Sequence, residues 1–264
     1  MSIPPRILAI AGSDSSGGAG IQADIKTVTM LGGYAMTAIT AITAQNTRGV
    51  QAVEVLSADL VGAQIDSCLE DIGADAIKIG MLGSPAIARA VTERLDSFDG
   101  AVVFDPVMVA TSGSVLADED TIAAFSQLMA RATLTTPNVP ELAALTGLPC
   151  DSPDQIAGAA TRLASDYGCA VLAKGGHAES TRVIDRLVHA DGSFASFDDP
   201  RIDTRHTHGT GCTLSSAIAT LLGHGQSLEH AVRLGRRFVR EALQKAPGFG
   251  AGHGPLGHQA VRGD

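Results

Sequence analysis

The sequence contains very few aromatic residues. It has no tryptophan, and aromatic residues make up 3% of the 264 positions, whereas hydrophobic residues make up 45%. A core without large rings has to be built from alanine, valine, isoleucine and leucine, which suits parallel strands covered by helices. The hydrophobic share is also too high for a disordered chain.

Charged residues are scarce at 18%, and their balance is acidic, with a formal net charge of −9. A chain of this charge is a poor partner for nucleic acid or for an anionic membrane surface. If the protein binds phosphates, it has to use local hydrogen-bond donors, because its overall field repels anions.

Disulfide, zinc and membrane-spanning patterns are missing as well. The four cysteines, Cys68, Cys150, Cys169 and Cys212, form no CxxC pair and no Cys/His zinc spacing, which predicts free thiols in a reducing compartment. The apolar run near the N-terminus covers about six residues, and no run reaches the roughly 18 residues of a membrane helix. We therefore expect a cytoplasmic protein that binds neither membranes nor nucleic acid.

Short apolar runs alternate with helical patterns along the chain. Strands are predicted at 6–11, 36–44, 76–80, 101–105, 133–136 and 169–173, and helices near 21–31, 59–72, 84–96, 118–131 and 152–167 and from about Gly211 and Leu228. Residues 182–197 flank Asp191-Gly192 and predict an antiparallel hairpin, with 50–56 as a second candidate edge strand. This order predicts one α/β domain over residues 1–264, with helices on both faces of a mostly parallel sheet and an antiparallel edge.

In such a sheet, ligands bind at the carboxyl ends of the parallel strands. The strongest candidate there is His208-Gly209-Thr210-Gly211-Cys212, directly before a helical segment. Two glycines at a helix start leave backbone N–H groups free to bind an anion, and a cysteine at that position is expected to have a lowered pKa. The alternative is a glycine turn in which a small buried Cys212 packs the start of the helix.

A second glycine-rich loop, residues 12–20, follows the first predicted strand, and Asp24 lies one turn inside the next helix. Residues 18–23 fit a loose GxGxxA dinucleotide fingerprint. However, six residues separate them from Ala11, and the next strand ends in Ala44-Gln45-Asn46 without a ribose-binding acid. The absence of GxxxxGK[ST] excludes a Walker-type NTPase on motif grounds.

Five further polar residues lie at or shortly after the ends of predicted strands. Asp105 is a candidate Mg²⁺ ligand or a simple turn cap. Asn138 and Glu141 have the spacing of a helix capping box, and Glu141 could also serve a metal through water. Lys174 could contact a nucleotide phosphate or end a strand in solvent. Gln45 could pair with a heteroaromatic ring or hold its own loop.

These stretches together resemble the hydroxymethylpyrimidine/phosphomethylpyrimidine kinase family over nearly the whole chain. The resemblance rests on ILAIAGSDSSGGAGIQADIKT (7–27), TAQNTRGVQ (43–51), KIGMLGS (78–84), DPVMVATSG (105–113), TPNVPE (136–141), KGGH (174–177) and THGTGCTLSSAIA (207–219). It implies a ribokinase-like fold, ATP as phosphate donor, Mg²⁺ as cofactor and a homodimer. The implied substrate is 4-amino-5-hydroxymethyl-2-methylpyrimidine and then its monophosphate.

The resemblance also implies roles for individual residues. Gln45 is expected to hydrogen-bond the aminopyrimidine, and its pocket is expected to be lined by Gly12, Ala19, Asp24, Met81 and Val107. The implied anion hole consists of Gly209, Gly211 and Cys212, with Cys212 where sugar kinases of this fold have an aspartate base. Mg²⁺ is assigned to Asp105 and Glu141, and the nucleotide to Asn138, Lys174, Thr210 and Arg236.

Two positions depart from the family pattern. Thr111 stands where a lysine is expected, which removes a cation from the site of the phosphorylated substrate. Arg236 stands where a lysine of the penultimate helix points at phosphates, and arginine can replace that charge. Alternative functions are a pyridoxal or pyridoxine kinase of the same fold and a non-catalytic pyrimidine-binding regulator, with a dinucleotide oxidoreductase less favoured than either.

Overall fold

The computed structural model describes residues 3–110, 113–176 and 181–261. Within them, nine strands form one sheet: β1 (Arg6–Asp14), β2 (Tyr34–Asn46), β3 (Gly49–Val55), β4 (Ala76–Ile79), β5 (Ala101–Phe104), β6 (Leu134–Thr135), β7 (Ala170–Ala173), β8 (Arg182–Val188) and β9 (Phe194–Pro200). The helices are α1 (Gly20–Met30), α2 (Ala58–Asp71), α3 (Pro85–Leu95), α4 (Glu119–Met129), α5 (Val139–Thr146), α6 (Pro153–Tyr167), α7 (Thr210–Gly223) and α8 (Leu228–Gln244). A 3₁₀ turn covers His258–Ala260.

The strand order is β3-β2-β1-β4-β5-β6-β7-β8-β9. Every pair from β2 through β7 is parallel, whereas β3 pairs antiparallel with β2, and β8 with both β7 and β9. The predicted mostly parallel sheet and the hairpin of residues 182–197 are therefore confirmed. The second candidate edge, residues 50–56, forms β3 on the opposite side, so both edges are antiparallel.

Helices cover both faces of the sheet, because neighbouring residues of a strand point to opposite sides. In β1, Leu8 and Ile10 pack into a core with residues of α2, α3, α4 and α6. Ile7, the residue directly before Leu8, packs into a second core with residues of α1, α7 and α8. All three side chains are fully buried, so the predicted three-layer arrangement is confirmed.

Local sequence signals set the starts of most helices. Ser57, Ser84, Asp118, Asn138 and Ser152 each accept a hydrogen bond from a backbone N–H in the first turn of the helix that follows. At α5 and α6 the glutamate or glutamine three residues later completes the capping box. No side chain caps the start of α1, α7 or α8.

The end of the first strand differs from the predicted boundary. Strand β1 continues past Ala11 to Asp14, with a register shift at Gly12, because its last residues still pair with Ile42 and Thr43 of β2. Asp14 therefore sits at the end of a strand and not inside a loop. No helix in the described part of the chain is both long and apolar enough to cross a membrane.

Candidate active site

A cavity of about 960 Å³ opens at the carboxyl ends of the parallel strands. It is large enough for two small ligands side by side. Of the residues that the sequence analysis assigned to a site, the cavity is lined by Gly12, Ala19, Gln45, Met81, Asp105, Val107, Asn138, Glu141, Lys174, Gly209, Thr210, Gly211, Cys212 and Arg236.

The floor of the cavity is the uncapped start of α7. Gly209 has φ 87°, in the left-handed region, and a Cβ there would collide with the Gly18 carbonyl of the β1–α1 loop. A Cβ on Gly211 would lie 3.3 Å from Asp105 Oδ2 and 3.4 Å from Lys174 Nζ. Both glycines therefore allow close approach, and the backbone N–H groups of this turn can bind an anion with support from the helix dipole.

Cys212 lies at this turn and lines the cavity, but its electrostatics differ from the prediction. Burial raises the pKa of its thiol to about 11, and the nearby charges of Asp24 and Asp105 act in the same direction. The Lys78 ammonium and a hydrogen bond from the Gly20 backbone lower the pKa by less. The predicted lowered pKa is therefore wrong, because desolvation of the thiol outweighs the effect of the helix start.

Asp24 does not line the cavity, so its predicted place in the substrate pocket is wrong. It is fully buried behind the β1–α1 loop. Its Oδ1 and Oδ2 accept hydrogen bonds from Lys78 Nζ at 2.9 and 3.0 Å, and Oδ1 accepts another from Ser216 Oγ at 2.6 Å. A buried carboxylate needs such partners, and here they point it away from the ligand space.

Lys78 is a buried charge behind the site that the sequence analysis did not single out. It lies in the middle of β4 and is fully buried. Burial alone would lower the pKa of its ammonium, but the charges of Asp24, Cys212 and Asp105 raise it. The available signal was a lysine inside an otherwise apolar strand, which has to find a buried partner. Gly80 leaves the room that the side chain needs, since a Cβ there would lie 2.8 Å from Lys78 Nζ.

A second charged group lies on the other side of the turn. Asp105 Oδ1 accepts hydrogen bonds from Lys174 Nζ at 2.8 Å and from Thr136 Oγ1 at 3.0 Å. Lys174 Nζ is also 4.0 Å from Glu141 Oε2. Burial would raise the pKa of Asp105, but Lys174 and Lys78 hold it below its usual range.

Glu141 combines both predicted properties, because it caps a helix and faces the cavity. Its Oε2 accepts a hydrogen bond of 2.8 Å from the Asn138 N–H, while Asn138 Oδ1 accepts one of 2.9 Å from the Glu141 N–H. Burial, with a further contribution from Asp105, raises the pKa of Glu141 to about 7. The capping box is confirmed, and the carboxylate remains next to Asp105 and Lys174.

The opposite end of the cavity contains an acid that the sequence analysis did not single out. Asp14 accepts hydrogen bonds from the backbone and hydroxyl of Ser16, the backbone N–H groups of Gly18 and Ala19, and the ring of His208 at 2.8 Å. Burial alone would raise the pKa of Asp14, but these donors lower it to about 2. Asp14 is therefore ionised and fixes the glycine-rich loop.

Gln45 lies beside this acid, at the end of β2. Its side-chain amide is 3.4 Å from His208 Nε2 and 3.2 Å from Thr43 Oγ1. A Cβ on Gly12 would lie 3.1 Å from Met81 Sδ, so Met81 packs directly on the strand end. A polar amide and a polarizable thioether thus border the same part of the cavity.

Arg236 lines the cavity with its charge already paired. Its guanidinium forms ion pairs with Asp185 and with Asp199, the second at 2.7 Å, and Asp185 Oδ1 also accepts a 2.7 Å hydrogen bond from the Gly175 N–H. In this structure Arg236 therefore fixes the backbone after β7, and its assignment to the nucleotide stays a prediction. Thr111 and His177 lie outside the described residues.

The glycine- and histidine-rich C-terminal segment packs against the same turn. His258 Nε2 is 2.8 Å from Thr213 Oγ1, which donates a 2.8 Å hydrogen bond to the Gly209 carbonyl. The His208 N–H donates to the Gly254 carbonyl at 3.1 Å. Two further hydrogen bonds join this segment to the β2–β3 turn, from Gly252 N–H to Thr47 Oγ1 and from His253 N–H to the Thr47 carbonyl.

The strand order of the sheet is that of a ribokinase-like small-molecule kinase. The anion-binding turn, which lies beside buried carboxylates and lysines, is typical of the same class. A family model described as phosphomethylpyrimidine kinase matches residues 14–257, and the chain belongs to this family. The hydroxymethylpyrimidine/phosphomethylpyrimidine kinase of Bacillus subtilis is 41% identical over 259 residues, covering 97% of this chain and 96% of that one. The thiamine biosynthesis multifunctional protein ThiED of Corynebacterium efficiens is 44% identical over 261 residues, and the chain spans 35% of its length.

Solved structures agree on the fold. The phosphomethylpyrimidine kinase from Clostridium difficile has a TM-score of 0.80 at 39% identity, covering 90% of this chain and 99% of that chain. Pyridoxal kinase from Staphylococcus aureus in complex with AMP-PCP and pyridoxal has a TM-score of 0.90 at 31% identity, covering 99% and 97%. The two neighbours share one architecture, so overall shape does not separate their substrates.

The buried Lys78–Asp24 pair makes a prediction about stability. Replacing Lys78 with methionine leaves Asp24 buried without its cation, so we expect the free energy of unfolding to fall by about 3–5 kcal/mol. Urea unfolding followed by circular dichroism measures the change. Arg162→Ala is the matched control, since it breaks an exposed pair with Asp166 and should change the same quantity by less than about 1 kcal/mol. Equal effects from the two variants would contradict the role given to Lys78.

Glu141 makes a prediction about pH. Its folded pKa of about 7 lies above the ordinary 4.5, so the folded state holds the proton more tightly than the unfolded chain does. Its contribution to stability is therefore present at low pH and is lost as the pH rises from near 4.5 through 7. In metal-free buffer, Glu141→Gln should be more stable than the unmodified protein at pH 8, and the difference should shrink by pH 5. Thermal unfolding across this range tests it, and a difference independent of pH would contradict it.

Proposed function

We propose that the protein is an ATP-dependent kinase that phosphorylates the hydroxymethyl group of 4-amino-5-hydroxymethyl-2-methylpyrimidine and then converts the monophosphate to the diphosphate, in thiamine biosynthesis. The observation that carries the proposal is the uncapped turn of Gly209, Gly211 and Cys212 beside Asp105 and Lys174. It supplies backbone hydrogen-bond donors and buried charges at a place where a phosphoryl group can be transferred from ATP to an acceptor hydroxyl. The relatives' names supply the substrate.

The acidic end of the cavity fits a nucleotide with a divalent cation. Asp105 and Glu141 are hard oxygen ligands that share one lysine, and Mg²⁺ is usually held by one or two carboxylates together with phosphates and water. Among the described residues, no group of three or more His, Cys, Asp or Glu side chains could hold a metal by itself. The ion would offset charge on the transferring group. Complexes of the Staphylococcus aureus pyridoxal kinase with ADP and AMP-PCP support ATP as donor.

Protein groups in the mechanism chiefly bind and orient. Lys174 and the side chains of Asn138 and Thr210 border the space proposed for the nucleotide phosphates. The N–H groups of Gly209–Cys212 stabilise the charge on the transferring phosphoryl group, which needs little covalent assistance. Gln45 binds the ring, with Gly12, Ala19, Met81 and Val107 as the neighbouring walls.

Cys212 is the candidate base for the hydroxyl proton. Because the pKa of its thiol is about 11 in the ligand-free chain, a small fraction is thiolate at neutral pH. A base of this kind typically contributes about 10²–10⁴ in rate. The thiolate accepts the proton of the substrate hydroxyl while the hydroxyl oxygen forms a bond to the γ-phosphorus of ATP. The bond between that phosphorus and the β,γ-bridging oxygen breaks, and ADP leaves.

A pyridoxal or pyridoxine kinase is the second candidate, supported by the TM-score of 0.90 to a pyridoxal kinase. The identity of 31% to that protein is lower than the 41% to the Bacillus subtilis hydroxymethylpyrimidine kinase, which favours the pyrimidine. A non-catalytic pyrimidine-binding regulator is disfavoured because the chain belongs to a kinase family.

We further propose a homodimer in the cytoplasm. Val53 and Val55 of the edge strand β3 are 42% and 39% exposed, and an exposed apolar edge strand favours pairing. The four cysteines are unpaired, as expected in a reducing compartment. Light scattering coupled to size-exclusion chromatography would detect a monomer if the dimer assignment is wrong.

A substrate panel tests the function. In a coupled assay of ADP release, we expect Mg²⁺-dependent turnover with hydroxymethylpyrimidine and with its monophosphate, and kcat/KM at least about tenfold lower with pyridoxal, because hydrogen-bond mismatch in a polar site is costly. Turnover of pyridoxal alone would favour the second candidate. Absence of ADP release with every substrate would favour the regulator.

The pH profile tests Cys212. Because the thiol has to ionise, kcat/KM for hydroxymethylpyrimidine should rise between pH 6.5 and 9.5, by up to about tenfold per pH unit. Cys212→Ala should lower kcat by about 10²–10⁴ and lose this rise. Cys68→Ala, outside the cavity, is the matched control. Full kcat in Cys212→Ala would remove Cys212 from the role of base.

A further inference from the structure

The orientation of the Gln45 amide follows from the groups around it. In the structure, Gln45 Oε1 lies 3.2 Å from Thr43 Oγ1, and Gln45 Nε2 lies 3.4 Å from His208 Nε2. Amide oxygen and nitrogen differ in chemistry but hardly in shape. Which of them faces His208 is therefore decided by the donors and acceptors on either side.

On the His208 side, the partner is a donor. His208 Nε2 is 2.8 Å from Asp14 Oδ2, and Asp14 is ionised because its hydrogen-bond donors lower its pKa to about 2. An ionised carboxylate accepts hydrogen bonds and cannot donate. The proton between the two groups therefore belongs to His208 Nε2. If the amide nitrogen of Gln45 faced Nε2, the N–H of the amide and the N–H of the ring would point toward each other.

On the Thr43 side, the partner is an acceptor. Thr43 Oγ1 is 2.9 Å from the Ser13 carbonyl, which can only accept, so the single hydroxyl proton of Thr43 is used there. Its lone pairs remain for an N–H donor. A half-turn of the Gln45 amide about its terminal bond places the nitrogen at Thr43, where it donates to the lone pairs of the hydroxyl. It places the oxygen at His208, where it shares the single Nε2 proton with Asp14.

The ring of His208 is itself fixed in place. A Cβ on Gly18 would collide with the ring, so the ring packs directly on the glycine-rich loop. His208 is 5% exposed and Asp14 3% exposed. The backbone N–H of His208 donates a hydrogen bond to the Gly254 carbonyl. The orienting group therefore cannot turn away from Gln45 without moving the loop.

We propose that Asp14 and His208 are positioning residues that hold the Gln45 amide with its oxygen toward His208, and that they thereby select a ring carrying an amino group next to a ring nitrogen. Thr43 and His208 each use one hydrogen-bonding position of the amide. One N–H and one oxygen lone pair remain for the cavity. An aminopyrimidine supplies the matching donor and acceptor, whereas a pyridine ring without that pair leaves them unpaired. This selectivity rests on the proposed function.

The orientation can be measured without any substrate. In the ligand-free protein labelled with ¹⁵N and ¹³C, the side-chain amide protons of Gln45 should show nuclear Overhauser contacts to the side chain of Thr43. Contacts to the ring protons of His208 and not to Thr43 would overturn the proposal. This result does not depend on catalysis, so it remains interpretable even if the protein fails to phosphorylate hydroxymethylpyrimidine.

The selectivity is tested by two variants of His208. His208→Phe keeps a ring but removes the donor, and His208→Gln retains an N–H near the position of Nε2. For His208→Phe we expect KM for hydroxymethylpyrimidine to rise about 10- to 100-fold, the loss of one hydrogen bond to an oriented group, with a much smaller change in kcat. His208→Gln should recover most of the affinity. His224→Phe, at an exposed histidine, is the matched control.

The comparison ligand is 5-hydroxymethyl-2-methylpyrimidine, which lacks the amino group and can be assayed as a competitive inhibitor. In the unmodified protein we expect it to bind at least about tenfold more weakly than the amino compound, and in His208→Phe this ratio should approach one. An unchanged ratio in a folded His208→Phe protein, or equal losses in the Phe and Gln variants, would overturn the proposal. If His208→Phe does not fold, the amide contacts in the unmodified protein still decide the orientation.

Discussion

The close approach of two glycines is the constraint on which the site depends. Gly209 starts α7 in a left-handed conformation with its Cα against the Gly18 carbonyl. This contact brings the loop after β1, near the beginning of the sheet, onto the start of a helix almost two hundred residues later. The N–H groups of the turn, the Cys212 thiol and the His208 ring all take their positions from it. Any side chain at Gly209 would separate the two segments, because a Cβ has no room there.

Buried charges around that turn form an alternating set. Lys78 lies between Asp24 and the thiol, and Lys174 lies between Asp105 and Glu141. Each lysine lowers the pKa of the carboxylates beside it and so opposes the effect of burial. Burial, together with Asp24 and Asp105, raises the pKa of the Cys212 thiol to about 11, because it outweighs the Lys78 ammonium and the hydrogen bond from Gly20. The site is therefore set up for anion binding first, and the reactivity of the thiol depends on what binds there.

The elements predicted correctly from the sequence are those with local signals. Asp191-Gly192 predicted the β8–β9 hairpin because Gly192 adopts a positive φ at the turn, and the spacing of Asn138 and Glu141 predicted a capping box that forms within four residues. The alternation of strands and helices predicted the layers. Most of the proposed site residues line one cavity because strand ends of a parallel sheet meet at one edge.

The features that the sequence did not reveal depend on contacts between distant segments. The partner of Asp24 is Lys78, 54 positions away, and the partner of Asp14 is His208, 194 positions away. The pKa of Cys212 depends on burial and on the charges of Asp24, Lys78 and Asp105, which come from distant parts of the sequence. Its position at a helix start therefore predicted a shift in the wrong direction. Strand β1 extends to Asp14 because β2 offers pairing partners. The glycine-rich composition of this stretch predicted a loop instead.

The bracing of the anion-binding turn by residues 250–258 has a consequence for biosynthesis. His258 and Gly254 contact the turn from its far side, and Gly252 reaches the β2–β3 turn. A nascent chain that has emerged only as far as α8 possesses the whole sheet but lacks these supports. The sheet can thus assemble before residues 250–258 are synthesised, whereas the ligand-binding geometry is completed only when that segment packs against the turn. A nascent chain that lacks residues 250–258 would then have a folded sheet but would not be able to bind nucleotide.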